Sequence, residues 1–181
     1  MKNKKVLGAD LSLTGTGIVV LQGDNIIVQE LIKSKPPTEK NPTTEIERII
    51  GIKNRIIEII EDGSAPDLVV IEGVALMVKN ATALVQLSGL NYMLREYLYS
   101  RKIPFLIAVP TTLKKFITGS GKAKKDMMML EVYKRYGVSL TDDNECDAYS
   151  LAKLGMAVLG IDTDLFEYQQ EVVSLIKKQH E

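Results

Sequence analysis

The sequence predicts an α/β domain: a mixed five-stranded sheet, three strands antiparallel and two parallel, flanked by helices. Three observations predict it. The first 33 residues hold three short apolar segments parted by turn residues. Two later apolar runs, at 67–72 and 104–109, each lie next to a stretch of helical periodicity. The last third reads as helix almost throughout. A meander followed by helix-linked strands gives this mixed architecture.

Residues 5–11 read as a buried strand and 16–22 as a second. Gly23-Asp24-Asn25 is a turn, and 26–33, rich in Ile and Val, is the third strand. Pro36-Pro37 and Asn41-Pro42 mark a loop. Thr44 and Glu47 have capping-box spacing, and Ile46, Ile49, Ile50, Ile56, Ile57 and Ile60 recur at helical intervals up to Gly63. DLVVIE, residues 67–72, is a short apolar run of the parallel-sheet kind. Leu84, Leu87, Leu90, Leu94 and Leu98 mark a helix over 80–100, and 104–109 is the fifth strand. Pro110 opens a short helix to about 117, Gly119-Ser120-Gly121 is a hinge, and a Met-rich helix covers 123–136. Asp142 and Glu145 have capping-box spacing at the head of a helix over 142–159, and a last helix spans 164–178. Residues 1–160 thus form the main domain, and 161–181 a C-terminal helix packed on it or reaching a second copy.

Composition narrows the function. The chain has 181 residues, 45% hydrophobic and 25% charged, and no run approaches membrane-spanning length. One cysteine, Cys146, permits no internal disulfide and fits a cytoplasmic protein. Net charge is zero, with 23 basic and 23 acidic residues. Distribution matters more: lysines gather at 114–115 and 122–125, and acids at 142–147.

Three acids stand apart. Asp10 interrupts the first hairpin, Glu72 ends the fourth strand, and Asp147 lies one turn inside an apolar helix beside Ala148, Leu151 and Ala152. If strands one and four are neighbours, Asp10 and Glu72 meet at one end of the sheet. Asp143 and Asn144 share helix faces with Asp147 at i,i+4 and i,i+3. Converging carboxylates repel one another and lose water unless a cation neutralises them. Oxygen ligands suit Mg²⁺, with Mn²⁺ as substitute. Two such ions about 4 Å apart clamp a phosphodiester for hydrolysis. The ordinary alternatives are a turn at Asp10, a cap at Asp142 and helix-dipole stabilisation at Asp143.

In TTLKKFITGSGKAKKD, Lys114, Lys115, Lys122, Lys124 and Lys125 surround the hinge and suit phosphate contacts. Lys125 also suits stabilisation of a developing phosphorane. GSGK is not a P-loop, because Phe116 and Ala123 stand where Gly and Ser/Thr are required. Met127 to Met129 read as core filler, and Tyr92, Tyr97 and Tyr99 as packing residues. His180, the sole histidine, lies in the tail and is not expected to act as a base.

The stretches VLGADLSLTGTGIVV, DLVVIEGVALMVKNATALVQLSG, VPTTLKKFITGSGKAKKDMM and NECDAYSLAKLG carry a resemblance over residues 5–155. In them the chain resembles the RuvC-type Holliday-junction resolvases, especially the short phage versions, of the ribonuclease-H-like superfamily. The resemblance implies a Mg²⁺-dependent homodimer that nicks four-way DNA in recombination and repair. It implies that Asp10, Glu72 and Asp147 bind the metal and that Lys114 and Lys125 meet DNA. The family's fourth ligand falls on Asn144, which carries no charge; Asp143 or Glu145 are substitutes. The family's aromatic wedge falls on Ala75, beside Leu76 and Met77, which implies looser selectivity among branched DNAs. The helix after Glu72, through Leu84, Leu87 and Ser88, is the expected dimer contact.

Two further readings compete. A nucleic-acid-binding module without catalysis follows if Asn144 leaves the site one charge short. An actin-like ATP-binding module would explain GADLSLTGTG as a phosphate loop, but that architecture needs about twice this length. The favoured reading calls for no nucleotide cofactor and no membrane.

Overall fold

The computed structural model describes residues 3–39, 41–62, 65–74 and 80–180. Gly63, Ala75, Leu76 and Met77 lie outside these residues, as does the side chain of His180.

Strands β1 (Lys5–Asp10), β2 (Gly15–Gln22) and β3 (Asn25–Lys33) form the meander. Helix α1 (Pro42–Glu61) leads to β4 (Leu68–Glu72), and α2 (Ala81–Ser100) to β5 (Phe105–Ala108). Helices α3 (Pro110–Thr118), α4 (Lys125–Tyr136), α5 (Asp143–Val158) and α6 (Glu167–His180) complete the chain. The sheet order is β3-β2-β1-β4-β5. β1 pairs antiparallel with β2 and parallel with β4, and β4 pairs parallel with β5. This is the mixed five-stranded sheet that the sequence predicts.

Strand alternation divides the interior into two cores. Val6, Val19, Leu68 and Val70 face α3 to α6, whereas Leu7, Ile18, Val69 and Ile71 face α1 and α2. Helix α5 lies across the centre of the first face and is buried along most of its length. Two glycines let it approach. A Cβ on Gly8 would stand 2.0 Å from the Ala148 carbonyl oxygen, and one on Gly17 would stand 2.1 Å from that of Asn144. Any side chain at either position would push α5 off the sheet.

The start of α1 departs from expectation. Asn41, not Thr44, caps the helix: its Oδ1 accepts from the Thr44 N–H at 2.9 Å, and the Thr44 hydroxyl accepts from the Asn41 N–H at 3.3 Å. Thr44 is therefore the inner member of the box, and Glu47 is not in it. Pro42 at the first helical position explains the difference, since its fixed φ suits a helix start and its missing N–H is not needed there. Ile46 is consequently exposed, while Ile49, Ile52, Ile56, Ile59 and Ile60 form the buried stripe.

The tyrosines of α2 also depart from expectation. Tyr97 is partly buried and donates to Glu61 at 2.9 Å, but Tyr92 and Tyr99 are largely exposed. Their positions, seven apart, face away from the sheet that buries Leu90, Leu94 and Leu98. In α4, Met128 is core, Met129 packs against it, and Met127 is exposed. Helix α6 packs on α3 and α5, burying Val172, Val173 and Ile176. No helix among the described residues is long and apolar enough to cross a membrane.

Candidate active site

Alternation places Val6, Gly8 and Asp10 on one face of β1, and Leu68, Val70 and Glu72 on the same face of β4. The register Ala9↔Ile71 sets Asp10 level with Glu72. Both acids therefore rise towards α5, whose Ala148 lies over Gly8 and whose Asp147 precedes it. Asp10, Glu72 and Asp147, distant in sequence, meet at one end of the sheet.

Their electrostatics show the cost. Asp10 is 6% exposed. Burial pushes its carboxyl up to about 8, helped by the charge of Glu72 and by a hydrogen bond to it; Lys125 opposes, and Asp142 adds to the rise. Burial likewise raises Glu72, and the negative charge of Asp147 adds to this, while the hydrogen bond from Asp10 and the charges of Lys114 and Lys125 oppose it. Asp147 is pushed up to about 7 by burial, then by the charges of Asp10 and Asp143, against Lys125 and Lys114. Burial and the closeness of the two acids thus favour a proton shared between Asp10 and Glu72.

Such a donor set, carboxylate oxygens from three elements in a partly dry site, fits a hard divalent cation that displaces the shared proton. Among the described residues, no three acidic, histidine or cysteine side chains already form a tight ligand group. Asp10 and Glu72 are hydrogen-bonded to each other, and Asp147 is near enough to exchange charge with them.

The loop after Asp10 is braced from several sides. The Thr16 hydroxyl accepts from the Ser12 N–H at 3.0 Å and donates to the Ser12 carbonyl at 2.7 Å. Arg48 of α1 donates to the Leu13 carbonyl and, at 3.0 Å, to the Ser34 hydroxyl. Asn91 of α2, fully buried, donates to the Glu72 carbonyl at 3.2 Å. Sequence reasoning did not single out Arg48 or Asn91. An amide between Leu90 and Leu94 on the core stripe of a helix was the available signal for Asn91. A cleft of about 670 Å³, lined by Leu11, Leu13, Pro36, Arg48, Asn80 and Leu87 among others, opens beside this loop; the three acids do not line it.

No family model matches the chain. One curated protein, the crossover junction endodeoxyribonuclease RuvC of Bifidobacterium adolescentis, is 32% identical over 141 residues, 74% of this chain and 68% of that protein. The chain belongs to the RuvC family. Solved structures share the fold. RuvC of Thermus thermophilus, in complex with a Holliday junction substrate, superposes with a TM-score of 0.69 at 20% identity, covering 82% of this chain and 90% of that one. The yeast mitochondrial Holliday junction resolvase superposes at 0.60 with 14% identity, covering 97% and 81%.

In this RuvC-family chain the remaining candidates divide into two groups. Lys114 and Lys125 impose their charge on the acids. Lys125, first residue of α4, also pairs with Asp143 Oδ2 at 3.1 Å. Burial draws its ammonium down, but the hydrogen bond to Asp143 and the charges of Asp143, Asp147 and Asp10 outweigh this and hold it above its ordinary range. Lys115 instead pairs with Glu171 of α6 at 2.7 Å. Lys122 and Lys124 are exposed in the connection between α3 and α4. Asn144 lies over β2, where its Nδ2 would stand 3.3 Å from a Cβ on Gly15. Asp142 caps α5, its Oδ1 accepting from the Asn144 N–H at 2.9 Å.

Proposed function

We propose that this chain is a Mg²⁺-dependent, structure-selective endonuclease that cleaves phosphodiester bonds in four-way or other branched DNA. One observation carries the reading: Asp10 and Glu72 are hydrogen-bonded at the ends of neighbouring strands, and Asp147 and Lys125 address the same point from two helices. Membership of the RuvC family supports it.

Asp10, Glu72 and Asp147 would hold the divalent ions. When bound, Mg²⁺ or Mn²⁺ supplies positive charge against the phosphoryl oxygens and polarises the scissile phosphate. With an ion held there, Asp10 and Glu72 would both be ionised, their shared proton passing to solvent. Lys125 and Lys114 hold the scissile phosphate and offset charge growing on it. Lys115, Lys122 and Lys124 guide the duplex arms. Among the described residues the bases at this point are the carboxylates.

The protein acts as a homodimer, so that two sites face opposed strands. The exposed line Val85, Tyr92 and Tyr99 on α2, beside the half-buried Leu84, Leu87 and Ser88, supports α2 as the contact. Tyr92→Glu is expected to shift sedimentation from dimer towards monomer.

The test is cleavage of a synthetic four-way junction with Mg²⁺ or Mn²⁺, beside forks, flaps and duplex. Branched DNA is cut, and Asp10→Asn or Asp147→Asn abolishes cutting while junction binding persists. A second reading, a DNA-binding module without catalysis, draws on the absence of a preformed three-acid ligand group. Wild-type protein that binds junctions but cuts none of these DNAs with either ion establishes it.

A further inference from the structure

We propose that Asp143 is a positioning residue for Lys125 and not a metal ligand. The inference rests on the nuclease reading above and concerns which acid of α5 does what. Two candidates beside Asp147 have the spacing to reach the metal, Asp143 and Asn144. The structure gives each another neighbour. Asn144 lies over Gly15 of β2. Asp143 meets Lys125 at 3.1 Å and adds its charge to Asp147, which is the α5 acid that exchanges charge with Asp10 and Glu72.

The pair joins the first residue of α4 to the first residue of α5. Its side chains are 62% and 42% exposed, and an ion pair so open to water contributes little to stability. Its effect is directional. A lysine has four rotatable carbons and loses much freedom when held. Tethered to Asp143, the Lys125 ammonium stays beside the acids, where its charge is felt by Asp10, Glu72 and Asp147 alike. Asp143 also stands one turn before Asp147 on the same helix face, so the tether brings Lys125 to Asp147 as well. The lysine expected to meet the scissile phosphate is thus set in place before DNA arrives.

Single-turnover cleavage of a saturating four-way junction with Mn²⁺ tests this in four variants: D143N, D143E, K125M and D143N/K125M. Alongside it, calorimetry measures Mn²⁺ affinity of the DNA-free protein, and thermal melts verify folding. Lys125→Met is expected to slow cleavage on the order of 10²-fold. Asp143→Asn should slow it about tenfold, leave Mn²⁺ affinity unchanged, and add nothing in the K125M background. Asp143→Glu should recover part of the rate. A several-fold loss of Mn²⁺ affinity in D143N, persisting when Lys125 is Met, overturns the proposal in favour of a ligand. Wild-type rates in D143N overturn it in favour of an idle surface pair. If D143N melts early, D143E decides: full loss of rate with unchanged melting and weaker Mn²⁺ binding again makes Asp143 a ligand. Failure of the wild type to cut any branched DNA overturns the nuclease reading itself, whereas wild-type cutting with an indifferent D143N overturns only this inference.

Discussion

The two ends of α5 treat buried charge in opposite ways. Near its C-terminal end, Lys153 is 4% exposed. Its ammonium lies 3.0 Å from Asp162, 3.5 Å from the exposed Asp24, and 4.6 Å from the centre of the Tyr136 ring. Here the chain answers a buried cation with its own anions and a π face. Near the N-terminal end, Asp147 faces Asp10 and Glu72, and all three carboxyls are held above their ordinary range because burial and one another's charge outweigh Lys114 and Lys125. The first cluster is closed within the chain. The second has an unmet demand for positive charge, and that demand is what supports the proposal that it is a site and not a structural network.

The sharpest expected contrast is in activity. Asp10→Asn removes one donor from the open cluster and is expected to cut junction cleavage at least ~10³-fold, with junction affinity little changed. Lys153→Met touches the closed cluster and should leave the cleavage rate of the folded protein as it was. Equal losses from both substitutions, measured at a temperature where both variants are folded, would erase the distinction.

In stability the order reverses. Lys153→Met leaves Asp162 half-buried without its cation, and the loss is expected to be about 3 kcal/mol in urea melts, at the low end for a broken buried pair because Asp162 retains some water. A loss under ~1 kcal/mol would show that Asp162 is solvated well enough to stand alone.

The acids should also reveal themselves through pH. Their folded pKa values, about 8 for Asp10 and about 7 for Asp147, lie above the unfolded value near 3.9. Between pH 5 and 8 the native state therefore binds more protons than the unfolded state, and stability of the metal-free protein falls as pH rises. The slope is up to ~1.4 kcal/mol per pH unit for each extra proton held. Glu30 and Asp67, held below their ordinary range by Arg55 and by the Lys5 N–H, titrate under this window and do not mask it. Thermal melts in chelator should decline from pH 5 to 8, Asp10→Asn should flatten the decline, and Mg²⁺ should restore wild-type melting at pH 8. Melting temperatures in chelator that rise over this range would contradict a proton shared between Asp10 and Glu72.

The same contrast explains what the sequence could show. The strands were legible because alternation and apolar runs are local, and Asp10 and Glu72 were legible as a pair because each ends an apolar strand, although a turn was the ordinary alternative at Asp10. Family membership was legible in four stretches that keep their order along the chain. The partners of charges were not legible. Asp143 and Lys125 lie on different helices, and nothing local links them. Lys153 sits in the run SLAKLGMA, apolar on every side, yet its answering acids, Asp24 and Asp162, come from a hairpin turn and the loop before α6. The start of α1 was misplaced because two overlapping boxes share Thr44, and only the backbone decides for Asn41.

The smallest expected effect separates two adjacent lysines on α3. Lys114 imposes its charge on Glu72 and Asp147, whereas Lys115 is bound by Glu171 at 2.7 Å. A lysine that contacts a phosphate releases about one counterion, so its removal lowers the slope of log affinity against log salt by about 1. Lys114→Ala should show this change in junction-binding titrations. Lys115→Ala should show a smaller one, since its ammonium already has an anion and gains little by exchanging Glu171 for DNA. Glu171→Gln should then raise junction affinity slightly at low salt by releasing Lys115. If Lys115→Ala changes the slope as much as Lys114→Ala does, Glu171 yields to DNA without cost, and a charge answered within the chain is as available to a ligand as one left open.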